Sequence, residues 1–308
     1  MFPFSDKTIL LAREESFTFN AHLNKNTFVI SAPKVGSRYM EHLFKKQKVV
    51  LRINTRFSKK EDLKIKNFKS NIDDNIFLNG LHKYDVELYE NAVVEEWNNI
   101  IDKKSKKEFV VLYRNPFERF KAAIIQDFAS AISFNSFNSN FFIKELLLKE
   151  GFGDEEILLF LQDFAPILQS KTMSASFNSK IPFEMLYVEM EPMLEYLLKV
   201  FIKSAVLKNT HHYSNYISII HSLDTNFNIF DNIKYINLDG DNEVENYFEK
   251  ELLNGSPKKH SNNFNGKALV EKIIKENDIL KDSLMMLLNK DILTYSILSG
   301  KFTENDES

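Results

Sequence analysis

Six short apolar runs, separated by stretches with helical spacing, limit what this chain can become. They read FVISA (28–32), KVVLRI (48–53), NIFLNG (75–80), FVVLYR (109–114), EMLYVEM (184–190) and IKYINLDG (233–240). Several are apolar at consecutive positions, so a strand built from them has no face to give to water. The pattern predicts an α/β fold in which a central, mostly parallel sheet is flanked by helices. A chain of 308 residues that is 44% hydrophobic can bury a sizeable core, and a single domain over 1–308 is the expectation. Residues 1–26 then form an N-terminal arm and 302–308 a frayed acidic tail. Linkers are expected at the lysine-rich stretches 57–69 and 103–107, at SFNSFNSNFF (133–142) and at the Gly-Ser-Pro turn 255–257.

Charge and composition exclude several classes of function. Forty Lys and Arg stand against 43 Asp and Glu, a net charge of -3, so nothing draws the whole molecule to nucleic acid or to an acidic membrane. Any anion site has to be local. There is no cysteine, which removes disulfides, thiolate metal ligands and a cysteine nucleophile together. No apolar run reaches the roughly 20 residues a membrane span needs, and the first residues lack a signal-peptide core, so a soluble cytoplasmic protein is expected.

Two strand-to-helix junctions carry the chemistry. In FVISAPKVGSR (28–38), Pro33 ends strand pairing, Gly36 permits a tight turn, and Tyr39, Met40, Leu43, Phe44 and Gln47 follow at helical spacing. A helix starting near Gly36 aims its free N–H groups and positive dipole end into the loop, where Lys34 adds a charge. That arrangement suits a phosphate, and it is equally compatible with an ordinary βα turn bearing a surface lysine. The lysine precedes the glycine by two, so this is not the Gly-Lys-Ser/Thr loop of magnesium-dependent nucleotide enzymes.

The second junction is FVVLYRNPFERFKAAI (109–124). Asn115 can cap, Pro116 suits the first helical position, and Glu118 stands three residues after the cap. Arg114 therefore falls at the carboxyl end of a strand, where open α/β sheets bind ligands, and offers a planar fork for phosphate. A simple ion pair with a neighbouring carboxylate is the plainer alternative. Arg119 follows one turn later and is expected to brace the site.

In this order the two junctions resemble the sulfotransferase family that uses 3′-phosphoadenosine 5′-phosphosulfate (PAPS). Pro33, Lys34, Gly36 and Ser37 match its loop for the 5′-phosphosulfate; Arg114, Asn115, Pro116 and Arg119 match its segment for the 3′-phosphate. The resemblance spans about 27–298. It implies a P-loop NTPase-like sulfotransferase fold, PAPS as donor with no metal, and a nucleotide site built from Lys34, Val35, Gly36, Ser37, Arg38, Arg114 and Arg119. LYVEMEPMLEYLLKVF (186–201) is similar to the family's strand leading into an acidic turn and helix, and LLNKDILTYSIL (287–298) to its closing helix. SPKKHSNNF (256–264) stands where relatives carry a basic loop over the nucleotide. Two departures are plain: Arg38 replaces a frequent second hydroxyl residue, and Ala122 replaces the serine expected eight residues after Arg114.

Sulfuryl transfer needs in-line geometry, charge stabilisation at the leaving phosphate and a base for the acceptor hydroxyl. Lys34 supplies the charge. His82, just past the run 75–80 and before a helix that Asp85 could cap, is the candidate base, and the family's Gly-His segment is loosely matched by Gly80-Leu81-His82. Glu41 and Glu118 are reserve bases, while His42 reads as a packed or solvated helix residue. His211 and His212 suggest a metal, but no further ligand stands at a suitable spacing. The acceptor is expected to be a carbohydrate hydroxyl, with Phe134, Phe137, Phe141 and Phe142 available to stack on a sugar or simply to fill a core. The alternative is a non-catalytic nucleotide- or glycan-binding protein on the same scaffold.

Overall fold

The computed structural model describes residues 16–32, 34–36, 39–40, 43, 49–54, 63–64, 83–133, 137–173, 182–208, 216–231, 233–240, 243–248 and 266–300. Along the chain these form β1 (Ser16–Leu23), β2 (Thr27–Ser31), β3 (Val49–Asn54), α1 (Lys83–Ile101), β4 (Glu108–Tyr113), α2 (Pro116–Ser133), α3 (Phe137–Glu150) and α4 (Asp154–Leu159). A π-helical turn (Phe160–Phe164) leads into α5 (Ala165–Met173), followed by α6 (Phe183–Lys208), α7 (Ile217–Phe227), β5 (Ile233–Asn237), α8 (Glu243–Tyr247), α9 (Gly266–Lys275) and α10 (Asp278–Leu298). By compactness the described residues fall into two units, one within 14–119, 215–259 and 288–308, the other within 120–214 and 260–287.

The first unit holds the sheet, whose five strands run in the order β3-β1-β2-β4-β5. β2, β4 and β5 are parallel, Ser31 standing opposite Leu112 and Leu112 opposite Ile236. β1 runs antiparallel to both β2 and β3. The sheet is thus mixed, which corrects the expectation of a mostly parallel one. The reason lies in Asn24: its side-chain carbonyl accepts the N–H groups of Asn26 and Thr27 and the Thr27 hydroxyl, all within 2.8 Å, and so closes a tight hairpin between β1 and β2. Residues 16–23, expected in the N-terminal arm, are therefore a strand inside the sheet. The run 75–80, expected as a further strand, lies outside the described residues.

β2 is buried at every position and β4 at all but its first, as their unbroken apolar character requires. Phe28 stacks on Phe109 and Phe109 on Phe230, with centroids 5.7 and 4.4 Å apart, and Trp97 packs against Phe19, Phe28, Phe109 and Phe230. The Trp97 indole donates to the Leu63 carbonyl at 2.9 Å, so this large side chain is buried without a stranded N–H.

The described residues of the second unit are mostly helical. EMLYVEM, expected as a strand, is the start of α6: Leu186, Met190, Leu194, Leu197 and Phe201 are buried at spacings of three and four, a helical period. Pro192 lies inside that helix, and Val188, whose carbonyl it leaves without an N–H partner, is 72% exposed and so stands on the wet face. Most of the expected linker 133–142 is likewise helix, since α3 begins at Phe137. The described residues contain no helix long and apolar enough to cross a membrane.

Candidate functional site

Three loops leave the carboxyl ends of the adjacent parallel strands β2, β4 and β5. Such an edge is where an open α/β sheet exposes backbone N–H groups and loop side chains. After β2 the chain turns on Ala32, whose carbonyl accepts the Val35 N–H at 3.1 Å, and the helical pattern begins with Met40 N–H donating to Gly36 O at 3.0 Å. Lys34 has φ 66° and Gly36 φ 67°, while Val35 between them keeps the ordinary negative sign. Two left-handed residues thus flank one whose N–H is used within the turn, which leaves the loop N–H groups on either side of Val35 to be accounted for. Gly36 can take the conformation without penalty; Lys34, an L-residue in the left-handed region, holds it under strain. A Cβ built on Gly36 would lie 3.1 Å from Leu238 Cδ1 and 3.3 Å from Leu112 Cδ1, so this loop is seated directly against the ends of β4 and β5. Val35 and Met40 are buried and fix it from below.

Arg114 leaves the end of β4. Its Nε donates to Asp239 Oδ1 at 3.2 Å, and among the described residues nothing bonds its two Nη groups. The outer fork of the guanidinium is thus unbonded among the described residues, and its side chain is about one quarter exposed. Asp239 Oδ2 accepts the Asn115 N–H at 2.6 Å, so one carboxylate orients both the arginine and the start of α2. Asn115 caps that helix as expected, its Oδ1 accepting the N–H groups of Phe117 at 2.9 Å and Glu118 at 3.3 Å. Asp239 is itself placed by its own N–H, which donates to Asn237 Oδ1 at 3.0 Å, while Asn237 N–H donates to Glu243 Oε2.

Sequence reasoning missed Asp239. The signal was present in INLDG, the end of the last apolar run, but only the order of strands makes it the neighbour of Arg114.

Arg119 occupies a different setting. It is 3% exposed, and its Nη2 lies 3.4 Å from Asp291 Oδ2, a carboxylate itself 2% exposed. Asp291 also accepts the N–H of Tyr216 at 2.8 Å and the N–H and hydroxyl of Ser218 at 3.0 and 2.8 Å. Burial lowers the Arg119 pKa, and Asp291 opposes that shift. Arg119 is therefore part of a buried polar cluster joining α2, α7 and α10.

The remaining expected residues are distributed as follows. Pro33, Ser37, Arg38, Glu41, His42, Gly80, Leu81, His82, His211 and His212, with the stretch 256–264, lie outside the described residues, as do the side chains of Phe134, Phe137 and Phe141. α1 already begins at Lys83, so Asp85 falls inside its first turn and does not precede it. Ala122 lies on α2, partly exposed. The chain matches no protein-family model, no curated protein and no solved structure.

Proposed function

We propose that this protein is a sulfotransferase that moves a sulfuryl group from PAPS to a hydroxyl, most simply a carbohydrate hydroxyl, on a P-loop-like sulfotransferase scaffold. The observation that supports the reading is the juxtaposition, at the carboxyl ends of adjacent parallel strands, of a tight turn with left-handed residues at 34 and 36 and the Arg114 guanidinium. In this reading Lys34 and Gly36 hold the 5′-phosphosulfate, with Val35, Ser37 and Arg38 completing the loop, and Arg114 holds the 3′-phosphate. Arg119 supports the segment from beneath through Asp291.

The chemistry follows from those placements. The acceptor oxygen attacks sulfur in line with the bond to the 5′-phosphate oxygen. As the new S–O bond forms and the old one breaks, its electron pair stays on the phosphate, where Lys34 and the loop N–H groups meet the charge. The acceptor proton passes to the base, for which His82 is proposed with Glu41 and Glu118 in reserve. The product nucleotide is 3′,5′-adenosine bisphosphate.

The alternative, a nucleotide- or glycan-binding protein without turnover, draws on one observation: the loop match is present while Ala122 lacks the hydroxyl expected for the 3′-phosphate. Thermal unfolding with 3′,5′-adenosine bisphosphate against ATP tests the site. At 100 times its dissociation constant the bisphosphate should stabilise by about 2.7 kcal/mol, with ATP giving markedly less. Equal shifts, or none, overturn the nucleotide assignment. Binding without sulfated product from PAPS and a panel of sugar acceptors favours the alternative.

A further inference from the structure

The opposite edge of the sheet carries a second concentration of charge. Around the amino ends of β2 and β4 lies a cavity of about 480 Å³ whose lining includes Lys25, Asn26, Glu96, Asn99, Lys104 and Lys106, with Lys107 and Glu108 at its side. Four lysines face two glutamates there, a local excess of two positive charges on a chain whose net charge is -3.

Both glutamates are already engaged. Glu96 accepts the Ser105 hydroxyl and lies 3.9 Å from Lys107 Nζ, and Glu108 accepts the Tyr247 hydroxyl. Lys107 Nζ also donates to the Lys25 carbonyl at 3.1 Å, which ties the two loops together. The carboxyl end of α1 would ordinarily repel an anion, but its carbonyls are occupied. Asn98 O accepts from Asp102 N–H, Ile100 O from Lys103 N–H, and Asn99 O from the N–H groups of Lys104 and Ser105, at 2.8–3.1 Å. A left-handed Lys103, φ 57°, makes that wrap possible.

What remains is a set of donors without acceptors. Among the described residues, the side chains of Lys25, Lys106, Asn26 and Asn99 bond nothing, and Lys104 reaches only Asp102 at 3.7 Å, a carboxylate that Lys64 already holds at 2.6 Å. Three ammonium groups and two amides around one concavity of ligand size form a donor array suited to an anion with several oxygens.

We propose that this basin binds a small, multiply charged oxyanion of the bisphosphate or pyrophosphate class, at a site separate from the loop that bears Lys34. The inference does not rest on the sulfotransferase reading, because it uses other residues at the other end of the strands.

Calorimetric titration of the full-length Lys34→Ala protein with pyrophosphate tests it, a background in which phosphate held by the other loop contributes least. A saturable one-site isotherm is expected at low ionic strength, weakening as chloride is raised. Adding Lys25→Ala and Lys106→Ala should weaken binding at least tenfold. Adding Lys203→Ala and Lys281→Ala, two exposed lysines outside the basin, removes the same charge and should change affinity less than twofold. No saturable heat overturns the proposal, and so does an equal loss in both double variants, which would mark a general charge effect.

Discussion

Replacing Asp291 by alanine should be among the most damaging single changes in the sheet-bearing unit. The carboxylate is 2% exposed and accepts from the Tyr216 and Ser218 N–H groups, the Ser218 hydroxyl and Arg119. Truncation takes the Asp291 carboxylate away from a guanidinium that is 3% exposed, and breaking a buried pair from one side costs about 3–5 kcal/mol. The stranded N–H groups of Tyr216 and Ser218 each add roughly 1–3 kcal/mol if they find no new acceptor, and relaxation or an entering water recovers part of that. A net loss of about 4 kcal/mol is expected, a large share of the roughly 5–15 kcal/mol that holds a typical domain together.

Urea denaturation followed by circular dichroism measures the loss, provided the denaturant slope stays constant. Arg119→Met in the same background completes a double-mutant cycle, and the double variant should lose less than the two single losses added together, by more than about 1 kcal/mol. A loss below about 1 kcal/mol for Asp291→Ala, or strict additivity in the cycle, would refute the view that Arg119 is held chiefly as a buried ion pair. The same experiment bears on function. An arginine whose main partner were a nucleotide phosphate would change ligand affinity on replacement and leave apo stability nearly untouched.

Four further outcomes are expected. Lys34→Ala should lower sulfuryl transfer by roughly 100- to 1,000-fold with the fold intact by circular dichroism, because it removes one stabiliser of charge on the leaving phosphate; unchanged turnover would remove the loop from the mechanism. Arg114→Ala should raise the KM for PAPS and leave kcat nearly constant in initial-rate measurements, the signature of lost uniform binding. Gly36→Ala should cost about 1–2 kcal/mol for a left-handed alanine, with more from contact against Leu238 and Leu112, and should abolish the thermal shift with 3′,5′-adenosine bisphosphate. Tyr113 is pushed up to about 12, first by burial and then by Glu243, Tyr295 and Asp239. Its folded pKa thus exceeds the unfolded value near 10, so the stability it contributes is whole below about pH 10 and is lost as pH rises toward 12, at up to roughly 1.4 kcal/mol per pH unit; urea midpoints between pH 9 and 12 should fall less steeply in Tyr113→Phe.

How far the sequence could be read depended on whether a signal was local. The runs that became β2 and β4 announced themselves because strands covered on both faces need apolar residues at successive positions, and Asn115-Pro116 marked the start of α2 because capping is decided within one turn. EMLYVEM misled for the same reason in reverse. A short apolar run has no length with which to separate a strand from a helix, and only the continued spacing through Leu194, Leu197 and Phe201 identifies α6. β1 escaped notice because SFTFNAHL is half polar and its place in the sheet is fixed by a hairpin that Asn24 closes, a local feature whose consequence is not local.

The site divides along the same line. Lys34, Gly36 and Arg114 stood out because a charged residue or a glycine just past an apolar strand is a pattern within a few residues. Asp239 and Asp291 did not, since each meets its arginine across more than a hundred residues of chain: 125 from Arg114 to Asp239 and 172 from Arg119 to Asp291. No spacing rule distinguishes those two aspartates from the other acidic side chains of the sequence. The strand order brings the first to the sheet edge, and burial gives the second its strength. Two arginines five residues apart in one motif consequently have opposite surroundings: Arg114 is about one quarter exposed with only its Nε bonded among the described residues, while Arg119 is 3% exposed and enclosed against a carboxylate.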